Sequence, residues 1–238
     1  MIDFHTHILP GMDDGAEDPA ESLAMLQACT AQGVDVVFAT SHFYADEEDP
    51  DSFLSRRNAS FRLLRKAYEA CKADVGPIPT ILPGAEILYF PGMADCEELK
   101  PLALGDTGML LVEPPVAPFT SSMLDEIEAV ETNLGLVPVI AHVDRYCRLL
   151  NDFTLFEKLT ERRVLIQVNA SFFLHRATGS FACEMLKQGM FQFLGSDCHN
   201  LTTRAPNLGP AAAQIREKNL SKELAKLNEV AYNVLSLR

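Results

Sequence analysis

Seven short apolar runs, almost free of charge, alternate along this chain with longer stretches of helical periodicity. The runs are Ile2–Phe4, Val34–Ala39, Thr80–Leu82 with Gly84-Ala85 behind it, Met109–Val112, Val137–Ala141, Val164–Val168 and Phe191–Leu194. Runs of this kind are typical of strands that are buried on both faces of a parallel sheet. The alternation over 238 residues therefore predicts an α/β fold, and seven strands fit either a barrel or a doubly wound sheet.

The segments between the runs contain recognisable helix ends. Asp18, Pro19 and Glu21 supply an N-cap, a first-turn proline and a capping-box glutamate, and Gly33 ends this first helix. Further helices are predicted at Ser52–Ala73, Ser121–Asn133, Phe153–Arg162, Phe181–Gln188, Ala211–Lys218 and, as the last, about Lys222–Leu237. Because no linker or repeat divides these elements, we expect residues 1–238 to form a single domain.

The charge balance limits what this chain can bind. It has 20 basic and 33 acidic residues, a formal net charge of -13. A surface this acidic repels nucleic acid and anionic lipid, so neither is an expected partner, and no run is suited to insertion into a membrane. The sequence opens on strand-like residues without a basic-then-apolar leader, which predicts a cytoplasmic location. An oligomer is compatible with the sequence but not indicated by it.

Ionisable side chains follow six of the seven runs, at the point where each strand would end. They are His5 and His7, His42, Glu86, Glu113, His142, and Asp197 with His199. Because the carboxyl ends of parallel barrel strands meet at one face, these side chains would converge there. Carboxylates crowded together without a cation raise each other's pKa values, whereas imidazole and carboxylate form a ligand set for Zn, Mn or Fe. The pattern therefore predicts a site for divalent metal ions.

Several stretches of the sequence resemble the polymerase-and-histidinol-phosphatase (PHP) superfamily. The opening, MIDFHTHILPGMDDGA, carries the likeness most clearly. The other similar stretches are, in family order, Thr40-Ser41-His42, Gly84-Ala85-Glu86-Ile87, Leu111-Val112-Glu113, Ala141–Tyr146 and Gly195–Asn200, with Arg204 close behind. More narrowly, they resemble the bacterial manganese-dependent protein-tyrosine phosphatases of capsule and exopolysaccharide operons. The resemblance implies a distorted (β/α)7 barrel of the TIM type, with metal ions at the carboxyl ends of its strands.

The resemblance also implies a ligand set for two or three divalent ions, with Mn as the first expectation and Fe, Zn or Mg as alternatives. The implied ligands are His5, His7, Glu86 and Asp197 for the first ion, Glu86, Glu113 and His142 for the second, and Asp14, His42 and His199 for the third. Aligning the Asp-Gly pair favours Asp14, but the adjacent Asp13 stays open as the alternative. Asp144 and Cys198 depart from the family pattern, but neither is a proposed ligand.

The activity that this resemblance implies is hydrolysis of phosphotyrosine on the tyrosine-rich tail of a bacterial tyrosine kinase that controls polysaccharide export. A small phosphate ester such as histidinol phosphate is the alternative substrate, and a non-catalytic binding module built on the same barrel is a third hypothesis. Arg145 and Arg204 are expected to grip the phosphoryl group, since a guanidinium matches two phosphate oxygens, although surface salt bridging would also explain them.

A tyrosyl leaving group, with a pKa of about 10, needs less help from a general acid than a serine alkoxide does. His42 or His199 could still donate a proton. The chain has no Cys-x5-Arg signature, which argues against a cysteine phosphatase.

Two segments near the expected site could control access to it. The acidic run within Tyr44–Asp51 follows His42 and would be either a solvated face or a gate that disfavours acidic residues next to the phosphotyrosine. The proline-rich segment Pro114–Pro118 follows Glu113 and could form another part of the rim.

Overall fold

The computed structural model describes residues 1–236, and within them the chain forms nine strands that pair only in parallel. The strands are β1 (Ile2–Thr6), β2 (Val36–Ala39), β3 (His42–Phe43), β4 (Thr80–Pro83), β5 (Glu86–Leu88), β6 (Met109–Glu113), β7 (Val137–Ile140), β8 (Leu165–Asn169) and β9 (Phe193–Gly195). Each of the seven apolar runs overlaps at least one of them.

The nine strands occupy seven positions around a barrel, because two positions are interrupted. Thr40-Ser41 and Gly84-Ala85 are not in strand conformation, and they separate β2 from β3 and β4 from β5. The strands are ordered β1-β2-β4 in one sheet and β3-β5-β6-β7-β8-β9 in the other. The ring is completed where the segment after β9 runs beside β1, as Asp197 N donates to His5 O at 2.8 Å. The expected distorted (β/α)7 barrel is confirmed.

Helices connect these strands along the outside of the barrel. They are α1 (Pro19–Ala31), α2 (Pro50–Val75), α3 (Ser121–Leu134), α4 (Val143–Leu149), α5 (Leu155–Thr160), α6 (Ser171–Leu174), α7 (Gly179–Gln188), α8 (Leu208–Glu217) and α9 (Ser221–Ser236), with 3₁₀ turns at Met93–Asp95 and Glu97–Leu102. Among residues 1–236, no helix combines the length and the apolar character needed to cross a membrane.

The predicted helix ends are mostly close to the observed ones. Asp18 caps α1 by accepting from the backbone N–H groups of Ala20 and Glu21. Helix α2 starts before the predicted Ser52 because Asp49 caps it and Pro50 occupies its first turn. The predicted Leu237 end of the last helix lies outside the described residues.

Three helices differ from the sequence expectation, and one of them, the short α6, was not predicted. The prediction of one helix over Phe153–Arg162 was wrong in extent, since α5 covers only Leu155–Thr160. Helix α4 was not predicted, because it follows His142 in the left-handed conformation without a side-chain cap. None of α4, α5 and α6 has a side-chain hydrogen bond at its N-terminus, whereas α1, α2 and α3 are capped by Asp18, Asp49 and Thr120.

An aromatic stack fills the barrel below its polar end. The ring of Phe4 on β1 lies 4.2 Å from that of Phe193 on β9 and 5.0 Å from that of Phe38 on β2, measured between centroids. The same apolar cluster includes Ile2 at the start of β1 and Ala231 on α9. Helix α9 therefore covers the end of the barrel at which the strands begin, and the opposite end is left for the polar side chains.

Arg57 on α2 holds in place the segment that interrupts β4 and β5. Its side chain is 5% exposed, and its Nη1 donates to Gly84 O at 2.9 Å while Nη2 donates to Pro101 O at 3.0 Å. Gly84 lies in the break that leads into Glu86, and a Cβ there would come within 2.8 Å of the Leu104 side chain. Arg57 therefore holds α2 against the segment that positions Glu86.

We expect Arg57→Ala to lower the free energy of unfolding by about 2–3 kcal/mol, because the buried carbonyl of Gly84 and the partly buried carbonyl of Pro101 lose a charged donor. Arg62→Ala on the same helix removes an exposed arginine and should change it by less than about 0.5 kcal/mol. Urea unfolding followed by circular dichroism measures both. Equal stability of the two variants would contradict the anchoring role of Arg57.

Candidate metal centre

The structure brings the nine predicted metal ligands together at the carboxyl ends of the strands. They are His5 and His7 at the end of β1, Asp14 on the loop that follows, His42 on β3, Glu86 on β5, Glu113 at the end of β6, His142 after β7, and Asp197 and His199 after β9. Six of the seven barrel positions contribute. Convergence of this kind is what a parallel barrel imposes on residues at strand ends.

Glu86 lies at the middle of this cluster and is 1% exposed. Its Oε2 lies 2.9 Å from His5 Nε2, 3.3 Å from His7 Nε2 and 3.1 Å from His42 Nδ1. Its Oε1 lies 2.7 Å from His142 Nε2. One buried carboxylate thus meets four imidazoles from three barrel positions: two at the end of β1, one on β3 and one after β7.

The donor atoms form three overlapping groups in which all members lie within 4.8 Å of one another. The groups are His5, His7 and Glu86; His42, Glu86 and Glu113; and His7, Asp14, His42 and His199. Asp197 Oδ1 lies 3.5 Å from His7 Nε2, and His142 Nε2 lies 3.4 Å from Glu113 Oε1, so both border these groups.

Several buried donor atoms lie close to other atoms of the cluster without hydrogen-bond geometry, and so have no hydrogen-bond partner among the described residues: Glu86 Oε2, His42 Nδ1 and His199 Nε2. Buried polar atoms are seldom left without a partner. The donor set is imidazole nitrogen and carboxylate oxygen, which suits Zn, Mn and Fe. The unpartnered atoms and the donor chemistry together fit a site for divalent cations.

The two neighbouring aspartates have different surroundings. Asp13 lies behind His7, with Oδ2 2.8 Å from His7 Nδ1, and it also accepts from the backbone N–H of His42 at 2.9 Å. Asp14 is exposed, and its Oδ1 lies 3.2 Å from His199 Nε2 and 3.6 Å from His42 Nε2. The geometry therefore directs Asp14 towards the cluster and makes Asp13 a residue that orients a ligand histidine.

The sequence reasoning missed three polar residues that orient ligands. Gln167 Oε1 accepts from the backbone N–H of His142 at 2.7 Å, and Asn169 Nδ2 donates to Asp197 Oδ2 at 3.0 Å. Asp144 in turn accepts from the backbone N–H of Asn169 at 2.8 Å. Gln167 and Asn169 are polar residues at alternate positions of an otherwise apolar strand, which is a signal that could have marked them.

Two of the predicted ligand residues adopt left-handed backbone conformations that non-glycine residues rarely take. The φ angle is 33° at His142 and 53° at Asp197. Each follows a barrel strand directly, where the chain turns sharply out of the sheet. Gln167 fixes the N–H of His142, and Arg145 N donates to His142 O at 2.8 Å. The surrounding hydrogen bonds thus hold a conformation that costs about 1–3 kcal/mol at such sites.

The charges within the cluster stabilise one another. Burial opposes ionisation of Glu86, but attraction to His5, a hydrogen bond with His142 and the closeness of the His42 ring hold the pKa of this carboxyl well below its ordinary range. Burial likewise opposes protonation of His7, yet its hydrogen bonds to Asp13 and Glu86 raise the pKa of His7 to about 10. A metal ligand needs a neutral imidazole, so cation binding must displace the proton that His7 otherwise holds.

Two arginines border the cluster on its open side. Arg145 on α4 donates from Nη2 to Asp197 Oδ2 at 2.7 Å and from Nη1 to Glu113 Oε1 at 3.1 Å. Arg204 donates from Nη2 to Asp197 Oδ1 at 2.7 Å and from Nη1 to Asp14 Oδ2 at 3.4 Å. Each guanidinium has five N–H donors, so both retain donors for a further anion.

One family model and several known proteins are similar to nearly the whole chain. A family model described as "Capsular polysaccharide synthesis, CpsB/CapC" matches residues 1–233. The chain is 30% identical over 235 residues to the tyrosine-protein phosphatase YwqE of Bacillus subtilis, covering 94% of this chain and 87% of that protein. It is 28% identical over 224 residues to the tyrosine-protein phosphatase CpsB of Streptococcus agalactiae, covering 89% and 88%.

The fold agrees with the same group of proteins. A solved structure from a study of YwqE of Bacillus subtilis and CpsB of Streptococcus pneumoniae, described as metal-dependent tyrosine phosphatases, superposes with a TM-score of 0.84. It is 27% identical to this chain and covers 99% of it, while this chain covers 94% of that structure.

The different surroundings of Asp13 and Asp14 predict different effects on metal content. Asp14→Asn should remove one Mn²⁺ per chain, measured by elemental analysis after dialysis. Asp13→Asn should keep every ligand and weaken Mn²⁺ affinity by about 10–100-fold, the usual scale for a residue that orients a ligand histidine. Glu17→Gln, at an exposed acid on the same loop, is the control and should change neither. Full Mn²⁺ content in Asp14→Asn with loss in Asp13→Asn would reverse the assignment.

Proposed function

This chain belongs to the CpsB/CapC family of capsular polysaccharide synthesis, and we propose that it is a metal-dependent phosphotyrosine-protein phosphatase. Its substrate in this proposal is the phosphorylated, tyrosine-rich tail of a bacterial tyrosine kinase in the cytoplasm. The observation that carries the proposal is the convergence of nine imidazole and carboxylate ligands beside two arginines at the open end of the barrel.

We propose that the nine residues hold two or three divalent ions, with Mn²⁺ first and Fe, Zn or Mg as alternatives. His5, His7, Glu86 and Asp197 would hold one ion, Glu86, Glu113 and His142 a second, and Asp14, His42 and His199 a third. When bound, such ions would lower the pKa of water and stabilise charge on the phosphoryl oxygens. The closeness of Glu86 to four imidazoles supports its role as the shared ligand.

Arg145 and Arg204 would orient the phosphoryl group. They approach the two different carboxylate oxygens of Asp197, so their guanidinium groups lie on either side of one ligand. A guanidinium pairs with two phosphate oxygens at once, which fixes the direction of the ester bond as well as the position of the phosphorus. In a chain of net charge -13, these two cations also counter the repulsion of an anionic substrate.

His42 is the better placed of the two candidate proton donors. Its side chain is 13% exposed, against 1% for His199. Burial and the nearby His7 lower the pKa of His199 to about 4, so this ring is neutral near pH 7 and has no proton in excess. A phenolate leaving group needs only modest assistance, because the pKa of tyrosine is about 10.

The competing substrate, a small metabolite such as histidinol phosphate, would use the same cluster. The named relatives that align along nearly the whole chain are tyrosine-protein phosphatases, which favours phosphotyrosine. A non-catalytic module is disfavoured because each proposed ligand position is filled and faces its neighbours.

Phosphate release from a phosphotyrosine peptide, a phosphoserine peptide and histidinol phosphate separates these functions. With Mn²⁺ we expect release from the phosphotyrosine peptide at a kcat/KM at least about 100-fold above the other two, because the phenolate leaves more readily. Chelation should abolish it. Preferential release from histidinol phosphate would retain the metal centre and overturn the substrate.

Arg145→Ala should lower kcat/KM on the phosphotyrosine peptide by about 10²–10³-fold, the scale for one donor lost from a phosphoryl-binding site. Arg148→Ala on the same helix removes an exposed arginine that does not contact the cluster and should retain activity. Thermal unfolding and bound Mn²⁺ are measured for both, so that loss of fold or metal is recognised. Full activity of Arg145→Ala would show that this arginine only pairs with Glu113 and Asp197 and does not bind the phosphoryl group.

A further inference from the structure

The mouth of the metal centre has an apolar side and an acidic side, and we propose that it selects phosphotyrosine segments whose neighbouring residues are apolar and not acidic. This inference rests on the proposed function, because it concerns the peptide on either side of the phosphotyrosine. It assigns specificity to residues that contact neither metal ligands nor the phosphoryl group.

The apolar side consists of four exposed side chains on the segments that follow β6, β7, β8 and β9; a further exposed ring on the segment after β7, Phe153, packs against Phe181 and is not included. They are Val116, Leu149, Leu174 and Leu201, which are 68%, 57%, 41% and 44% exposed. These strands are neighbours in this order, so the segments after them lie side by side around the mouth. A single exposed leucine is ordinary, whereas one on each of four successive segments forms an arc. We call these four residues the apolar arc.

Two members of the apolar arc are carried by the same elements as the two arginines. Leu149 lies four residues after Arg145 on α4, which places it on the same helix face one turn further along. Leu201 and Arg204 share one turn, in which Asn200 Oδ1 accepts from the backbone N–H groups of Thr202 and Arg204. An arginine that holds the phosphoryl group therefore has an apolar neighbour positioned for the next residues of the peptide.

The segment that carries Val116 is held in place by aromatic side chains. The hydroxyl of the buried Tyr146 donates to Pro114 O, and the Phe119 ring packs edge-on against Tyr146 with centroids 5.1 Å apart. Both ends of the segment are thus fixed to α4, the helix of Arg145 and Leu149. Val116 is presented on a constrained rim, which limits the entropy lost when a peptide binds.

The acidic side is the segment after β3, and only part of its acidic run has a structural role. Glu48 pairs with Arg56, and Asp49 caps α2 by accepting from Ser52. Asp46 and Glu47 remain exposed and have no ion pair among the described residues.

The segment with these two acids starts at the metal centre itself. Tyr44, two residues before Asp46, stacks on the ring of His42 with centroids 5.3 Å apart. Asp46 and Glu47 therefore follow directly on from a cluster residue, within reach of a bound peptide. The Debye length is about 8 Å at physiological salt, so two unpaired acids at the mouth disfavour an acidic residue beside the phosphotyrosine.

The apolar half of the proposal is tested with two phosphotyrosine peptides that differ only in leucine or serine on both sides of the phosphotyrosine. The readout is kcat/KM for each peptide relative to free phosphotyrosine, which cancels changes in the metal centre. The wild type should prefer the leucine peptide, and Leu149→Gln with Leu201→Gln should reduce that preference about fivefold, the scale of a partly buried leucine. Leu63→Gln, at an exposed leucine on α2, is the matched control and should keep it.

The acidic half is tested with peptides flanked by glutamate or glutamine. The wild type should disfavour the glutamate peptide, and Asp46→Asn with Glu47→Gln should relieve this about threefold, as should 0.5 M NaCl. Glu217→Gln with Glu229→Gln removes the same charge from exposed positions on α8 and α9, and should leave the discrimination as it is.

The outcomes separate this inference from the proposed function. If the wild type with Mn²⁺ fails to hydrolyse free phosphotyrosine and both peptides, the proposed function is overturned. If it hydrolyses them but the leucine preference is equal in the wild type, the arc variant and the control, the apolar half is wrong. If the glutamate peptide is disfavoured to the same degree after Asp46 and Glu47 are neutralised, the acidic half is wrong.

Discussion

The rest of this structure depends on one buried carboxylate, Glu86, which must reach four imidazoles at once. No regular strand ladder brings so many polar side chains to one point, and the barrel is irregular at the positions that lead to it. The β1–β2 register shifts between Asp3 and Thr6, and two-residue interruptions of the strands separate β2 from β3 and β4 from β5. Such irregularities re-aim side chains next to a site. The distortion of the barrel therefore follows from the chemistry at its end.

The two ends of the barrel have opposite characters: the apolar end stabilises the fold, and the polar end costs free energy. Aromatic rings and α9 fill the end at which the strands begin, so burial of apolar surface there supplies stability without polar groups. The other end concentrates ionisable groups and left-handed backbone at His142 and Asp197, which all cost free energy. Asp13, Gln167 and the two arginines offset part of that cost by hydrogen bonding the ligands, and a divalent cation would offset more.

Much of the fold and of the candidate centre could be predicted, because short stretches of consecutive residues indicate both. An uncharged run followed at once by histidine or glutamate marks a strand end, and the family resemblance ordered those residues into ligand sets. What local reasoning missed had weak local signals: α4 has no side-chain cap, and Gln167 contacts His142 from 25 residues away, so that only its alternation with Asn169 on an apolar strand marks it. The choice between Asp13 and Asp14 stayed open for the same reason. Two adjacent aspartates look alike in the sequence and differ only in the residues that the fold brings into contact with them.

The sequence by itself determined the strand–helix alternation, the residue types at the strand ends and hence the metal chemistry, because a period of apolar residues and a strand boundary are properties of a few consecutive positions. Only the tertiary structure decided that Glu86 lies within 3.3 Å of four imidazoles, that Asp14 and not Asp13 faces the cluster, and that Val116, Leu149, Leu174 and Leu201 are exposed on segments after four adjacent strands. These are relations between segments far apart in the chain, such as His5 and Gln167, which are 162 residues apart and 3.3 Å from Nδ1 to Oε1. Closure of the barrel creates them, and no local pattern encodes where a closed ring brings its loops.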